Sequence, residues 1–388
     1  MHQYMRSTPL FLASLITAIS LSIACKDDIG CSLNGLCSAG TCNCDAGWRG
    51  EQCELLDLGP APAGGAYGYH PNISSWGAHV VRLDDARYHM FVSEFWGNCG
   101  VQESWQQDSH IVHAVSESPL GPYVYVDTAL PPEATCMHIM MMPREPQSVN
   151  RSRIVMYHQG RSGSTSAKSL RNCTRGPYVP PEREDWRPTP AHKVHWSDSA
   201  SGPWHAGTQD MPMPPGINCE NPSPLLLPNG SVAVFCHGPG IRLWVSGTGQ
   251  PVRFIATPGS APVPHTVWED PSVYLDARGH WHLLSHVYPT NTTNWLQYAD
   301  IVAGHAFSKD GIEWTFHPTP PWTADVTDTD GSTRHYATRE RPFLLLSDDA
   351  HRTPVALFTA VTLPGRPKQN YTKDGGDYSF THVQPIRH

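Results

Sequence analysis

Charge is scarce in this 388-residue chain: Asp, Glu, Lys and Arg make up 16% of it, against about 25% in ordinary soluble domains. What charge there is leans acidic, with a formal net value of −8. There is no basic excess, which excludes nucleic acid and an anionic membrane surface as partners. Heptads and long 3.6-residue periodicities are lacking too, so a helix-rich fold is excluded. Beyond Leu10 to Ile23, no stretch has the unbroken apolar length that a bilayer span needs. The 22 histidines come without H-E-x-x-H or a comparable ligand spacing, so no metal site and no cofactor is expected. Serine catalysis lacks its Gly-x-Ser-x-Gly elbow, since Gly160-Arg161-Ser162-Gly163 has the wrong form. What the chain does have is 32 glycines, 37 prolines and 10% aromatics, the composition of many short strands joined by turns.

Those strands repeat. Trp268-Glu269-Asp270-Pro271 opens an apolar run that turns at Asp276-Ala277-Arg278-Gly279 and returns through Trp281, Leu283 and Ser285. Glu220-Asn221-Pro222 and Glu340-Arg341-Pro342 open similar pairs. A second motif interleaves with the first: His113-Ala114-Val115-Ser116-Glu117-Ser118-Pro119-Leu120-Gly121-Pro122-Tyr123 matches His195-Trp196-Ser197-Asp198-Ser199-Ala200-Ser201-Gly202-Pro203-Trp204, with a looser copy from His305 to Trp314. Each is a strand, a Ser-led turn and a short strand, as the outer hairpin of a small sheet would be. One such sheet cannot bury its faces alone, so the repeat predicts a radial array. Inner strand pairs beginning near Trp76, His138, Glu220, Glu269 and Glu340 predict an all-β, five-bladed β-propeller over residues 66–388.

Ahead of the repeats, residues 1–24 read as a signal peptide, with Arg6 as positive flank, an apolar core and small residues at Ser22-Ile23-Ala24. The protein is therefore expected to be secreted and extracellular. Residues 25–53 hold Cys25, Cys31, Cys37, Cys42, Cys44 and Cys53. So small and polar a segment needs disulfides in place of a core, and six cysteines alone allow fifteen pairings. Residues 54–65, rich in Gly, Pro and Ala, read as a linker. Six Asn-x-Ser/Thr acceptors, at Asn72, Asn150, Asn172, Asn229, Asn291 and Asn370, are expected to mark glycosylated surface loops. Cys99, Cys136, Cys173, Cys219 and Cys236 leave at least one thiol without an intrachain partner.

The cysteine spacing together with Gly47-Trp48-Arg49-Gly50 resembles an EGF-like module. That resemblance implies Cys25–Cys37, Cys31–Cys42 and Cys44–Cys53, without the calcium-binding form's acidic lead, and an adhesive or spacer role in extracellular protein contact. The acid-Pro strand openings and the A-x-S-x-x-P-x-G-P-Y hairpins resemble the five-bladed propeller glycoside hydrolases of family 43, over roughly residues 66 to 388. The resemblance implies inverting hydrolysis of furanosides or galactans at the central funnel, with a base Asp on blade one, an orienting Asp on blade three and an acid Glu on blade four.

Transferred residue by residue, the family's acid falls on Glu269. Its orienting Asp falls on Asn221, beside Glu220, and its base falls near Gly77, where no carboxylate stands. Inversion needs a second carboxyl roughly 6.5–9.5 Å from the acid, and Glu94, Glu220 and Asp270 are the candidates. His138 matches a family histidine but lacks the proline that follows it there. His138, His286, Glu340, Arg341, Trp76 and Trp268 are the expected carbohydrate-binding residues. The acid-Pro openings have a structural explanation as well, because carboxylates accept backbone N–H bonds at strand starts and proline sets turns. A catalytically silent carbohydrate-binding or adhesion propeller is therefore the alternative expectation.

Overall fold

The structure, a computed structural model, describes residues 24–70, 74–95, 100–101, 109–130, 140–143, 154–161, 190–206, 220–229, 231–237, 242–245, 255–256, 268–287, 302–363 and 379–388. Residues 1–23 of the expected signal and His138 lie outside them, as do Cys99, Cys136, Cys173 and Cys219.

The cysteine-rich segment is a hairpin of β1 (Gly35–Ser38) and β2 (Thr41–Cys44), then β3 (Trp48–Arg49) paired with β4 (Leu55–Leu56). A 3-10 turn over Asp28–Cys31 leads in, its free N–H groups capped by the Asp27 carboxylate. The bridges are Cys25–Cys37, Cys31–Cys42 and Cys44–Cys53, the implied connectivity.

Blade one comprises β5 (Ser75–Arg82), β6 (Tyr88–Phe95), β7 (Ser109–Ser116) and β8 (Val124–Leu130). Blade two comprises β9 (Met140–Pro143), β10 (Ile154–Arg161), β11 (Pro190–Ser197) and β12 (His205–Ala206). Blade three holds β13 (Glu220–Leu226), β14 (Val232–His237), β15 (Arg242–Val245) and β16 (Ile255–Ala256), and blade four β17 (Trp268–Leu275), β18 (Trp281–Val287), β19 (Val302–Ser308) and β20 (Trp314–His317). A small hairpin, β21 (Asp325–Thr327) with β22 (Thr333–His335), precedes the last sheet: β23 (Thr338–Leu346), β24 (Pro354–Thr362) and β25 (Ser379–Pro385). Every sheet is an antiparallel meander in chain order. The first strands touch one another in a cycle, β5 to β9 to β13 to β17 to β23 and back to β5. This is the propeller layout.

Alternating side chains of each strand face the two neighbouring blades. On β6, Met90 and Val92 pack with Leu345, Phe358 and Val383 of the last blade, while Phe91 between them packs with Ile154 and Met156 of blade two. Phe235 of blade three meets Val273 and Leu283 of blade four in the same manner. Polar residues enter these layers in pairs. His89 Nδ1 lies 2.9 Å from His113 Nε2, His158 Nε2 2.8 Å from His195 Nδ1 and His282 Nδ1 3.1 Å from His305 Nε2, each across the second and third strands of its blade.

The ends of the chain meet in the last blade. Leu58 bridges Ile386 and Tyr67 bridges Thr381, and the amides of Gly59 and Ala66 donate to Pro385 and Thr381 carbonyls along the free edge of β25. Much of the segment expected to be a linker thus lies along this blade. The cysteine-rich module is seated as well. Cys25, Cys31, Trp48 and Cys53 share one apolar cluster with Tyr274, Leu284, Trp322 and Leu357. Trp48 stacks on His305 at 5.1 Å between ring centroids, Arg278 pairs with Asp45 and donates to the Leu33 carbonyl, and His317 bonds Gln52.

Candidate functional site

Four of the five innermost strands break their ladder at one register. β5 shifts between Trp76 and Ala78, β13 between Glu220 and Ser223, β17 between Glu269 and Ser272, and β23 between Glu340 and Phe343. Each break is a bulge holding a residue in the left-handed region: Gly77 (φ 67°), Asn221 (53°), Asp270 (53°) and Arg341 (51°). In three of them the next residue is proline, which a bulge accepts because that position donates no ladder hydrogen bond. The Glu-x-Pro motif of the sequence is therefore the signature of this bulge, and Glu220, Glu269 and Glu340 occupy one equivalent place.

The left-handed residues of neighbouring blades meet. Asn221 Nδ2 donates to Asp270 Oδ1 at 2.6 Å, and Arg341 Nη2 lies 3.3 Å from the same oxygen. The guanidinium then lies over Trp76, 5.6 Å from the ring centroid. Asp270 is 5% exposed, and a buried carboxylate demands such partners. His286, pairing opposite Glu269 on β18, supplies two more contacts: Nδ1 is 3.0 Å from Asp270 Oδ2 and Nε2 3.2 Å from Glu269 Oε2. Burial works against charge on this ring, but the carboxylates of Asp270, Glu269 and Glu340 prevail and raise its pKa to about 10. His286 is thus an imidazolium at neutral pH.

The expected residues fall into distinct places. Glu269, Asp270, His286, Glu340 and Arg341 form one cluster. Asp270, His286 and Glu340 each offer a ligand atom, all within 4.8 Å of one another, but a cation there would have to displace the His286 proton and compete with Arg341. The Glu269 side chain is 30% exposed, and its Oε2 is engaged by the His286 ring. Glu94 belongs to a different group: it accepts from Tyr67 Oη at 2.7 Å and lies 3.6 Å from His110. Glu220 stands opposite His237 in β13, as Glu269 stands opposite His286. Trp268 packs edge-on against Phe316 in the core of blade four, and Trp76 is buried with Phe95 and Val101. Neither indole is an open platform for a sugar ring. In the sequence Asn221 is only a departure from a motif, yet it anchors Asp270.

Comparison with known proteins agrees with this architecture. Residues 25–55 match the model of the Teneurin-like EGF domain. A family 117 glycoside hydrolase from the marine bacterium Zobellia galactanivorans superposes with a TM-score of 0.51 at 14% identity, covering 84% of this chain and 89% of its own. A thermostable family-43 glycoside hydrolase gives 0.51 at 12% identity, covering 84% of this chain and 92% of its own. An exo-β-1,3-galactanase from Phanerochaete chrysosporium, solved with β-1,3-galactotriose, gives 0.51 at 10% identity, covering 85% and 64%. Curated protein sequences returned no match. The chain is an EGF-like module joined to a propeller with the fold of the family 43 and family 117 glycoside hydrolases. No described helix is long and apolar enough to cross a membrane.

Proposed function

We propose that the protein is a secreted carbohydrate-binding propeller, built on a glycoside hydrolase fold, that holds glycans at the centre of the blade ring without cleaving them. The observation that carries this reading is at Gly77. Its bulge is the blade-one counterpart of Asp270, and Arg341 fills the space beside it, with Cδ 2.8 Å from where a Cβ would stand. A cation thus occupies the place from which a carboxylate would activate water. The remaining acids have lost their freedom: Asp270 is held by Asn221, Arg341 and His286, and Glu269 is paired with His286. Carboxylates and a guanidinium are suited to bind sugar hydroxyls through hydrogen bonds.

Secretion accords with the N-terminal apolar segment and the three disulfides. With the Trp48 side of the EGF-like module seated on blade four, extracellular protein contact falls to the face carrying exposed Ile29 and Leu36.

Hydrolysis is the second reading, favoured by the partial exposure of the Glu269 side chain. The two separate in one experiment: titrate the full secreted chain with galacto- and arabino-oligosaccharides by calorimetry, and follow sugar release over days. Binding without release supports the proposal. Release that Glu269→Gln abolishes overturns it in favour of the hydrolase, and absence of both overturns the carbohydrate assignment.

A further inference from the structure

The last blade contains a buried cation for which the described residues supply no counter-charge. Arg339 on β23 is 1% exposed. Its Nε donates to Thr359 Oγ1 at 3.3 Å, Nη1 to the Thr323 carbonyl at 2.9 Å and Nη2 to Gln384 Oε1 at 2.6 Å. All three acceptors are neutral, and among the described residues no carboxylate is within ion-pair reach of this guanidinium. Burial lowers its pKa to about 9, with Tyr336 acting the other way. A guanidinium has five N–H donors, so two remain beyond those three bonds.

Beside it stands His382, also 1% exposed. His382 lies directly across β24–β25 from Thr359, and Gln384 is two residues along the same strand. All three side chains therefore share one face of the sheet, the face on which the Arg339 guanidinium bonds Thr359 and Gln384. Neither ring nitrogen of His382 has a hydrogen-bond partner among the described residues. The Tyr336 ring tilts over it at 5.3 Å, and Arg334, paired with Asp328, approaches from the β21–β22 hairpin. Burial first, then the charges of Arg339 and Arg334, keep the imidazole neutral, so one nitrogen carries an N–H with no acceptor. A neutral imidazole always leaves one such donor, and a buried donor without an acceptor costs about 1–3 kcal/mol. An uncompensated buried cation costs more. Two independent deficits on one face of one sheet call for the same thing, an acceptor that is negative.

We propose that Arg339 and His382 form an internal site for a small monovalent anion of the halide class, held between the guanidinium and the imidazole N–H inside the last blade. The ion would neutralise Arg339 and accept from His382, and Tyr336 would close the site from above. It lies where the N-terminal segment joins β25, so its occupant acts on closure of the ring and hence on stability.

The test uses the full secreted chain. Thermal unfolding is followed in sodium chloride or bromide against sodium gluconate at matched ionic strength. The expected result is a saturable rise in Tm on the order of 5 °C with halide near 100 Kd, as for any ligand of the folded state alone. His382→Phe, which fills the place with an apolar ring, should abolish that increment. Wild-type crystals grown in bromide should show an anomalous peak between Arg339 and His382, a readout that stands even if the variant fails to fold. Equal Tm in halide and gluconate, or electron density for a water with no anomalous signal, would overturn the proposal.

Discussion

Arg341 occupies the room that a side chain at Gly77 would need: a Cβ there would stand 2.8 Å from Arg341 Cδ. The two residues hold the same bulge position on the last and first blades, and their φ values of 51° and 67° are both left-handed. One has given up its side chain to the other. Gly77→Ala should therefore cost about 1–2 kcal/mol for the backbone and roughly as much again for overpacking. Arg341→Ala removes the clash but leaves Asp270 without its guanidinium. The double variant should be less destabilised than the sum of the singles by about 1–2 kcal/mol, read as a coupling energy in a urea-denaturation cycle. Strict additivity would show that the two residues do not share the space.

Trp48 ties the disulfide module to the propeller. It stacks on His305 and shares a cluster with Trp322, Leu357 and Ile386. Large-to-small replacement of a buried aromatic costs about 3–5 kcal/mol, so Trp48→Ala should lower the unfolding midpoint of blade four along with the module. The composition of residues 25–53 suggests that reduction would unfold the module alone. The shared cluster predicts instead that reducing the three disulfides destabilises both together, seen as one shifted calorimetric transition. Two well-separated transitions in the native protein would contradict this.

The fold was legible in the sequence because its signals are local. Strand alternation, Ser-led turns and the cysteine spacing are each confined to a short stretch of chain, and the repeat multiplies them. The bulge was half legible: Glu-x-Pro appears three times, but its Gly77 form lacks both Glu and Pro. The site's wiring was not legible, because Asn221, Asp270 and Arg341 meet only after three blades close. Nothing near Arg341 in the chain indicates that its side chain would lie over Trp76. The seat of the cysteine-rich module was hidden for the same reason, since Trp48 reads equally well as part of an EGF-like turn.

Stability should peak close to pH 6.5, because two sets of histidines titrate with opposite sign. His305 and His282 are fully buried. Burial, then for His305 the neighbouring His282 and His317, holds His305 far below its ordinary value. His282 is lowered by burial and partly restored by Asp276. Tyr274 stacks on His282 and Trp48 on His305, and neither ring offers a compensating charge. His79 is lowered to about 3, by burial and Arg341. Below 6.5 the unfolded chain binds protons that these folded rings refuse, so stability falls with pH. His286, raised to about 10, does the reverse: its contribution is whole below 6.5 and is lost as pH rises through 10. Urea midpoints measured from pH 4.5 to 10 should trace the dome, and His305→Phe, which keeps the stack on Trp48, should flatten its acid limb. A flat profile between pH 5 and 6.5 in the wild type would refute the assignment.

The sharpest functional test lies at Glu269, whose side chain is the most open of the clustered carboxylates, at 30% exposure against 5% for the Asp270 side chain. As a general acid it would contribute about 10²–10⁴-fold to turnover and little to affinity. As an ionised hydrogen-bond acceptor for sugar hydroxyls it would contribute to affinity alone. A hydrogen bond to a charged group is worth about 1.5–3 kcal/mol, or roughly 10–150-fold in Kd. Glu269→Ala should therefore weaken glycan binding by that factor. Glu269→Gln, which keeps an acceptor oxygen and the shape, should weaken it less, while His286 loses one of its two carboxylate partners and its pKa falls from about 10. That fall can be read directly from the imidazole resonances of the full chain by NMR titration. Unchanged affinity in Glu269→Ala together with a loss of sugar release would mean that the residue works on the bond and not on the ligand, and the binding proposal would fail there.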